Sequence, residues 1–469
     1  MTPEEFRAAG YALVDWIADF RADLGERPVG TSVAPGEVRN GLGHHPPAGG
    51  ETIEAVLADL DRLIVPALTH TQHPRYFGWF PANASLSSVL GDLASGGLGA
   101  LGIIWQSAPA LTELEEACCD WMAQLCGLSP QWQGCIQDSA SSAALVAMLC
   151  ARERVSEHSQ GRGGLVGEVT PLVVYQSGQA HSSVTKAALL AGFGRENLRT
   201  VDVDPTTFAM QPDALAHAMA DDVAAGRRPA AVVLTSGSTA TTAFDPLAEL
   251  VEVAAHHGAW VHVDAAMGGA ALLLEEHRWR FDGLDGADSL SWNPHKWMGT
   301  ALDCSLFYVR QPEHLIRVMS TNPSYLRSAV DGEVTQLKDW GVPLGRRFRA
   351  LKLWFQLRID GIESVRARLR RDLANAQWLA AQVTAEPGWE VVAPVTLQTV
   401  CLRHQPAGLT GQELDRHTLA WAAAVNASGQ AFVTPAELDG RWMVRVSIGA
   451  EPTTAADVAA LWDQLRAVL

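Results

Sequence analysis

Between about residues 85 and 355 the chain alternates short apolar runs with stretches of helical periodicity, and this alternation leaves few folds open. The runs are Gly134–Gln137, Pro171–Tyr175, Ala230–Leu234, Trp260–Val263, Ser289–Trp292 and Ser305–Val309. Several are apolar along their length, as strands covered on both faces must be. Strands separated by helical segments pair in parallel, because each connection carries the chain back across the sheet. The expectation is an α/β fold with a mostly parallel sheet covered by helices. With 469 residues, 48% of them hydrophobic, the chain can bury a large core and form two or three structural units.

In such sheets ligands bind outside the carboxyl ends of the strands. One run ends Trp260-Val261-His262-Val263-Asp264 and continues into Ala265-Ala266, small residues that let a ligand approach the backbone. Another passes from Ser289-Leu290-Ser291-Trp292 into Asn293-Pro294-His295-Lys296-Trp297-Met298-Gly299. The chain has four lysines against 31 arginines. Lys186 and Lys352 fall in helical patterns, Lys338 lies in a polar segment beside Asp339, and only Lys296 is flanked by bulky rings. An amine desolvated among rings has a lowered pKa and can form a Schiff base. Alone, a lysine after a strand is a surface residue and a strand-end aspartate is a cap. Together they are the pair that pyridoxal phosphate (PLP) chemistry requires: a lysine for the aldehyde and a carboxylate for the pyridinium nitrogen.

HVDAA at 262–266 followed by NPHKW at 293–297 resembles the signature of the PLP-dependent group II amino-acid decarboxylases, the aromatic L-amino-acid decarboxylase family. The resemblance runs from about Phe6 to the C-terminus, with bacterial DOPA decarboxylase as the nearest likeness. It implies the PLP-dependent transferase fold of type I, with a smaller C-terminal α+β domain and a helical N-terminal segment. The corresponding domains are 1–84 (N-terminal dimerisation segment), 85–360 (PLP-binding) and 361–469 (C-terminal α+β).

The resemblance also implies roles. Lys296 carries the cofactor, Asp264 faces the pyridine nitrogen and Ala266 adjoins it. His181, in Ala180-His181-Ser182-Ser183, stacks on the ring. Asp138-Ser139-Ala140-Ser141-Ser142 precedes an apolar helix, and small hydroxyl residues at a helix start offer backbone N–H groups and a favourable dipole to a phosphate. By resemblance Ser139, Ala140 and Ser141 hold the cofactor phosphate, with contacts from Thr235 and Asn293. Relatives have glycine at 138 and glutamate at 142, so Asp138 is expected to point away or to make a structural hydrogen bond. Trp79, Phe80 and Ala82, in a ring-rich loop, match positions near the substrate side chain. Ile103 and Trp105 resemble positions lining the neighbouring subunit's pocket, and Gly345 matches a position where related histidine and plant tyrosine decarboxylases carry serine. Tyr325, in the polar connection from Met319 to Pro343, is the candidate to return a proton to Cα. A connection of that length reads as a lid. His295 is a supporting acid–base candidate.

The rest of the chain is read from its residues. Thr2-Pro3-Glu4-Glu5 is a capping box with proline at the first helical position, and Phe6, Leu13, Val14, Ile17 and Leu24 recur on one helical face. Residues 26–50, rich in Gly and Pro, read as extended or looped, and a second helix is expected over about 51–66. Leu344 to Arg349 reads as the start of a helix. Leu93 to Thr112 carries no charge but is broken by glycines and Pro109, so it reads as buried structure or a subunit interface, not a membrane span. By resemblance the N-terminal segment packs on a partner subunit, which implies a homodimer. The charge of −17 argues against nucleic acid and anionic membrane as partners. Seven cysteines without a CxxC read as reduced cytosolic thiols, and no secretory leader precedes Thr2. A cytoplasmic protein is expected. The adjacent pairs His44-His45 and His256-His257 lack ligand spacing, so no metal is expected.

The function implied is decarboxylation of an aromatic L-amino acid, with L-DOPA foremost and 5-hydroxytryptophan or tryptophan next. The alternatives are an aromatic aldehyde synthase of the same family and an inactive PLP-fold binding protein. An aminotransferase would carry an arginine gripping the substrate carboxylate, and Arg346, Arg347 and Arg349 leave that open.

Overall fold

The computed structural model describes the chain except Asn322 and residues 327–329, and the side chain of Tyr325. The chain gathers into two compact units: Ala82–Gln377 with Val391–Cys401, and Met1–Pro81 with Trp378–Glu390 and Leu402–Leu469. The sequence reading divides the chain instead at 84/85 and 360/361.

The larger unit is built on a seven-stranded sheet. In chain order its strands are β1 (Gln133–Gln137), β2 (Leu172–Ser177), β3 (Leu198–Val201), β4 (Arg228–Thr235), β5 (Trp260–Asp264), β6 (Ser289–Trp292) and β7 (Ser305–Val309). Their order across the sheet is β1-β7-β6-β5-β4-β2-β3. Neighbours from β6 to β3 pair in parallel, and β7 runs antiparallel to both β1 and β6. The expected α/β sheet is therefore present, with one reversed strand near its edge. Every residue of β5, β6 and β7 is buried, which is why these segments read as unbroken apolar runs. β3 has a mixed sequence, Leu-Arg-Thr-Val, and is half exposed at the sheet edge. The helix Ala140–Val155 leaves β1 after a two-residue turn and buries Ala143, Ala144, Val146, Ala147, Met148, Cys150 and Ala151. The helix expected from Leu344 begins only at Ala350. The delay has a cause: Arg346 exchanges both backbone hydrogen bonds with Gly102, holding this stretch extended.

A four-stranded sheet of order β10-β11-β9-β8, from β8 (Trp389–Val391), β9 (Thr399–His404), β10 (Thr434–Leu438) and β11 (Arg441–Ser447), falls mostly in the smaller unit, with Val391 and Thr399–Cys401 counted in the larger. Trp389 packs edge-on against Trp421 and Trp462 in the core of the smaller unit. The first helix, Pro3–Asp23, forms with the expected capping box, yet it buries no residue. Phe6, Tyr11 and Val14 stand exposed along it. Residues 26–50 are mostly loop, but a short helix, Glu37–Gly41, interrupts them. The helix expected over 51–66 is Ile53–Asp59, continued by wider and then tighter turns to Ala67. All seven cysteines are buried and none forms a disulfide among the described residues. Among the described residues no helix is long and apolar enough to cross a membrane.

Candidate active site

The register of three adjacent parallel strands sets the floor of the site. Thr235 on β4 lies opposite Asp264 on β5, and Asp264 lies opposite Ser291 on β6. These residues form a row at the carboxyl edge of the sheet, where its topology directs ligands. Asp264 is buried, and its Oδ1 accepts the N–H of Ala266 at 3.0 Å. Asn293, just past β6, donates its N–H to the Ala266 carbonyl at 2.9 Å. The two motifs separated in sequence are thus stitched together by backbone.

Beneath Asp264 on the same strand, His262 lies fully buried between two serines. Its Nδ1 is 2.9 Å from Ser289 Oγ and its Nε2 is 3.3 Å from Ser291 Oγ. Burial pushes its pKa down to about 4, against the pull of the nearby Asp264. The imidazole is therefore neutral at physiological pH. Sequence reasoning assigned His262 no role, although it opens the HVDAA motif and is a polar residue inside an apolar run.

Lys296 follows β6 in a wide turn, Pro294–Met298, and its own backbone departs from helical geometry at φ −100° and ψ −112°. Its carbonyl accepts Asn83 Nδ2 at 3.0 Å. His295, beside it, is buried, and its Nδ1 accepts the N–H of Cys304 at 2.9 Å. Accepting at Nδ1 leaves the ring proton on Nε2. Burial first, and then the charge of Lys296, hold the His295 pKa down at about 4.

His181 caps the helix Ser182–Leu190, its Nδ1 accepting the Ser183 N–H at 3.2 Å and lying 2.7 Å from Ser183 Oγ. The ring stands exposed at the site. Its pKa is lowered, first by desolvation and then by the charge of Lys296, while Asp264 pulls it upward. The structure therefore brings His181, Lys296 and Asp264 within electrostatic reach of one another.

At the start of the helix Ala140–Val155, Ser139 Oγ accepts the Ser142 N–H at 3.3 Å. The first N–H groups of the helix, at Ala140 and Ser141, lie outside its own bonding. Of the two alternatives expected for Asp138, the structural hydrogen bond is not formed: this half-buried carboxylate has no hydrogen-bond or ion-pair partner among the described residues.

The residues expected near the substrate fall in both units. Ala82, half-buried, adjoins Asn83 in the larger unit. Ile103 and Gly345 flank the Gly102–Arg346 bridge in the same unit, Gly345 exposed and Ile103 half-buried. Trp105 donates its indole N–H to Glu113 at 3.0 Å. Trp79 and Phe80 belong to the smaller unit. Trp79 is held at φ +28°, unusual for a tryptophan, by bonds from its N–H to Thr434 Oγ1 and from Arg445 Nη1 to its carbonyl. The Arg445 guanidinium lies 4.3 Å from the centre of the Phe80 ring. Tyr325 falls in the turn Ser324–Leu326, and its side chain lies outside the described residues.

Each of the three clustered arginines has a carboxylate partner: Arg346 pairs with Glu115 at 2.6 Å, Arg347 with Asp92 at 2.8 Å and Arg349 with Asp303 at 3.0 Å. The cluster is accounted for without a substrate carboxylate.

The pyridoxal-dependent decarboxylase conserved domain matches residues 35–405. The chain belongs to the pyridoxal-dependent decarboxylase family. It is 38% identical to phenylacetaldehyde synthase of Arabidopsis thaliana, over 98% of this chain and 95% of that protein. It is 35% identical to tryptophan decarboxylase 2 of Oryza sativa subsp. japonica, over 99% of this chain and 95% of that protein. The crystal structure of Oryza sativa TDC with PLP and tryptamine superposes with a TM-score of 0.97 at 33% identity, covering 100% of this chain and 98% of the other. These relatives are plant proteins and do not single out a bacterial DOPA decarboxylase.

The side chains present fit the cofactor of this family. Thr235 Oγ1, Ser236 Oγ and Asn293 Oδ1 are buried without a hydrogen-bond partner among the described residues, an arrangement that costs stability unless a ligand supplies one. Helix N–H groups at Ala140 and Ser141 suit a phosphate, Asp264 suits a pyridinium nitrogen, and Lys296 suits an aldehyde.

Proposed function

We propose that this family member decarboxylates aromatic L-amino acids with PLP bound at the site built from Lys296, Asp264 and His181. The observation that carries the reading is the gathering of these three residues around the row Thr235–Asp264–Ser291. The relatives that share most of its length support the class of reaction and an aromatic side chain in the substrate. The cofactor supplies an electron sink for the bond to the departing carboxylate.

The protein supplies the rest. Lys296 would hold the cofactor through its aldehyde. Asp264 would keep a pyridine nitrogen protonated, and His181 would pack against the cofactor ring. Ser139, Ala140, Ser141, Thr235 and Asn293 hold the phosphate side, and Ala266 borders the ring. Tyr325 delivers the proton to Cα, and His295 supports the acid–base steps. Ala82 and Gly345 border the substrate side chain, Ile103 is supplied across the dimer, and Trp79 and Phe80 are assigned to the substrate by resemblance alone; L-DOPA is the best substrate among aromatic acids.

The active form is a cytoplasmic homodimer, and the exposed apolar residues Phe6, Tyr11 and Val14 of the first helix are its N-terminal contact. Leu93 and Leu98, in and beside the charge-free stretch, are exposed too and suit an interface. The segments 1–84, 85–360 and 361–469 are its functional divisions.

A second reading is an aromatic aldehyde synthase, favoured by the likeness to phenylacetaldehyde synthase. Those enzymes tend to lose the lid tyrosine or the stacking histidine, and this chain keeps Tyr325 and His181. A product assay over a panel of aromatic amino acids, scoring carbon dioxide, amine, aldehyde and peroxide, separates the readings. Amine without peroxide is expected; aldehyde and peroxide in equal yield would establish the synthase.

A further inference from the structure

The turn bearing Lys296 is held only in part by its own backbone: the Lys296 N–H reaches the Asn293 carbonyl at 3.0 Å and the Gly299 N–H that of Lys296 at 3.2 Å, while helical geometry is lost at Lys296. The carbonyls of the turn are also held from outside. Asn83 Nδ2 donates to the Lys296 carbonyl at 3.0 Å, and the Ser85 N–H donates to that of Gly299 at 2.9 Å. The two carbonyls between them, of Trp297 and Met298, both accept Arg368 Nη2 at 2.7 Å. Gln356 Nε2 adds a second donor to Met298 at 3.1 Å.

Arg368 lies on the helix Ile362–Ala385, and Asp372 one turn further along it is fully buried. Asp372 Oδ2 accepts the Trp297 indole N–H at 3.0 Å and lies 3.7 Å from Arg368 Nη1. Arg371 approaches the other oxygen at 3.3 Å. Gly299 completes the arrangement: it adopts φ +99°, and a Cβ there would come within 3.1 Å of Arg368 Nη2.

We propose that Arg368 and Asp372 are positioning residues that set the aim of the Lys296 amine by gripping Trp297 and Met298 from both sides. Planar donors on two successive carbonyls fix a backbone more firmly than a flexible ammonium could. A buried ionic pair contributes little net stability, so its use here lies in fixing one geometry. The inference rests on Lys296 being the residue that binds the cofactor.

The test compares Arg368→Gln, Asp372→Asn, Trp297→Phe and Arg368→Lys with wild type after reconstitution with PLP. Covalent attachment is followed by borohydride trapping and peptide mapping, and the absorption of the bound cofactor is titrated with pH. Neither readout needs turnover. Attachment to Lys296 should slow on the order of 100-fold in Arg368→Gln, the scale that a small misplacement costs. It should be partly restored in Arg368→Lys, with the equilibrium amount of PLP retained unchanged. Trp297→Phe removes the donor to Asp372 together with part of a buried ring while leaving Arg368 in place, so it carries the test if Arg368→Gln does not fold. Wild-type attachment rates and an unchanged pH titration in folded variants would overturn the proposal. Parallel loss of attachment and PLP retention would too, since that marks general damage to the site. An adduct on another lysine in wild type would overturn the reading of Lys296 itself.

Discussion

Arg346 and Glu115 form an ion pair 2.6 Å apart, with side-chain exposures of 6% and 1%. Glu115 also accepts the Ile136 N–H, and Arg346 donates to the Ile136 carbonyl. Through the backbone exchange of Arg346 with Gly102, the pair ties β1 to the two segments that carry Ile103 and Gly345. Removing one partner of a buried pair leaves an uncompensated charge and costs about 3–5 kcal/mol. Glu115→Ala should lose that much in urea unfolding. A midpoint and slope equal to wild type would show that the pair holds nothing.

Borohydride reduction of the PLP-loaded protein should fix the cofactor to Lys296 alone. The chain offers only three other lysines, and Lys338 and Lys352 are already committed to Asp339 and Asp303. Peptide mapping checks this. A reduced adduct at Lys186, Lys338 or Lys352 would remove Lys296 from its assigned role.

Tyr325→Phe should release carbon dioxide at a rate close to wild type while protonating Cα poorly. The electron-rich carbon is then open to oxygen, and aldehyde, ammonia and hydrogen peroxide should rise at the expense of amine. An unchanged amine yield without peroxide would exclude Tyr325 as the proton donor.

Gly345→Ser should fold, because a Cβ at this position meets only Leu101 Cδ1 at 3.7 Å, an ordinary contact. One small group in a pocket is worth roughly 1–3 kcal/mol, or about 10- to 200-fold in kcat/KM ratios. Preference between L-DOPA, tryptophan and histidine should move within that range. Constant ratios would place Gly345 outside the pocket.

Stability should fall as pH drops from about 6.5 toward 4. His73, His262 and His295 each have a folded pKa near 4 because burial disfavours the imidazolium, so the unfolded chain binds more protons across this window. Asp245 and Asp372, raised by burial to about 6, work in the opposite sense below that pH. The decisive comparison is His262→Asn, in which the acid-side loss in urea midpoint should be shallower than in wild type. An identical slope would mean that His262 does not titrate on unfolding.

The sheet was legible where burial made it so. Val261, Val263, Leu290 and Leu306 sit on strands buried on both faces, and their runs gave β5, β6 and β7 almost to the residue. β3 and β10 were not, because half-exposed edge sequences such as Leu-Arg-Thr-Val and Thr-Pro-Ala-Glu-Leu carry no apolar run. Asp264 and Lys296 were readable as a pair because each ends or follows such a run. Arg368 and Asp372 were invisible, since their partners lie about 70 residues away and arginine and aspartate on a helix ordinarily mean a solvated face. Asn83 was hidden for the same reason.

All seven cysteines lie in the larger unit. Burial raises the thiol pKa of Cys118, Cys126, Cys135 and Cys304 to about 12, and that of Cys119 and Cys150 higher still. An alkylating reagent at neutral pH therefore finds almost no thiolate until that unit opens. Iodoacetamide uptake, counted by mass, becomes a clock for the opening of the seven-stranded sheet and its helices, read from six of the seven thiols. The seventh, Cys401, lies on β9 and reports the opening of the four-stranded sheet as well.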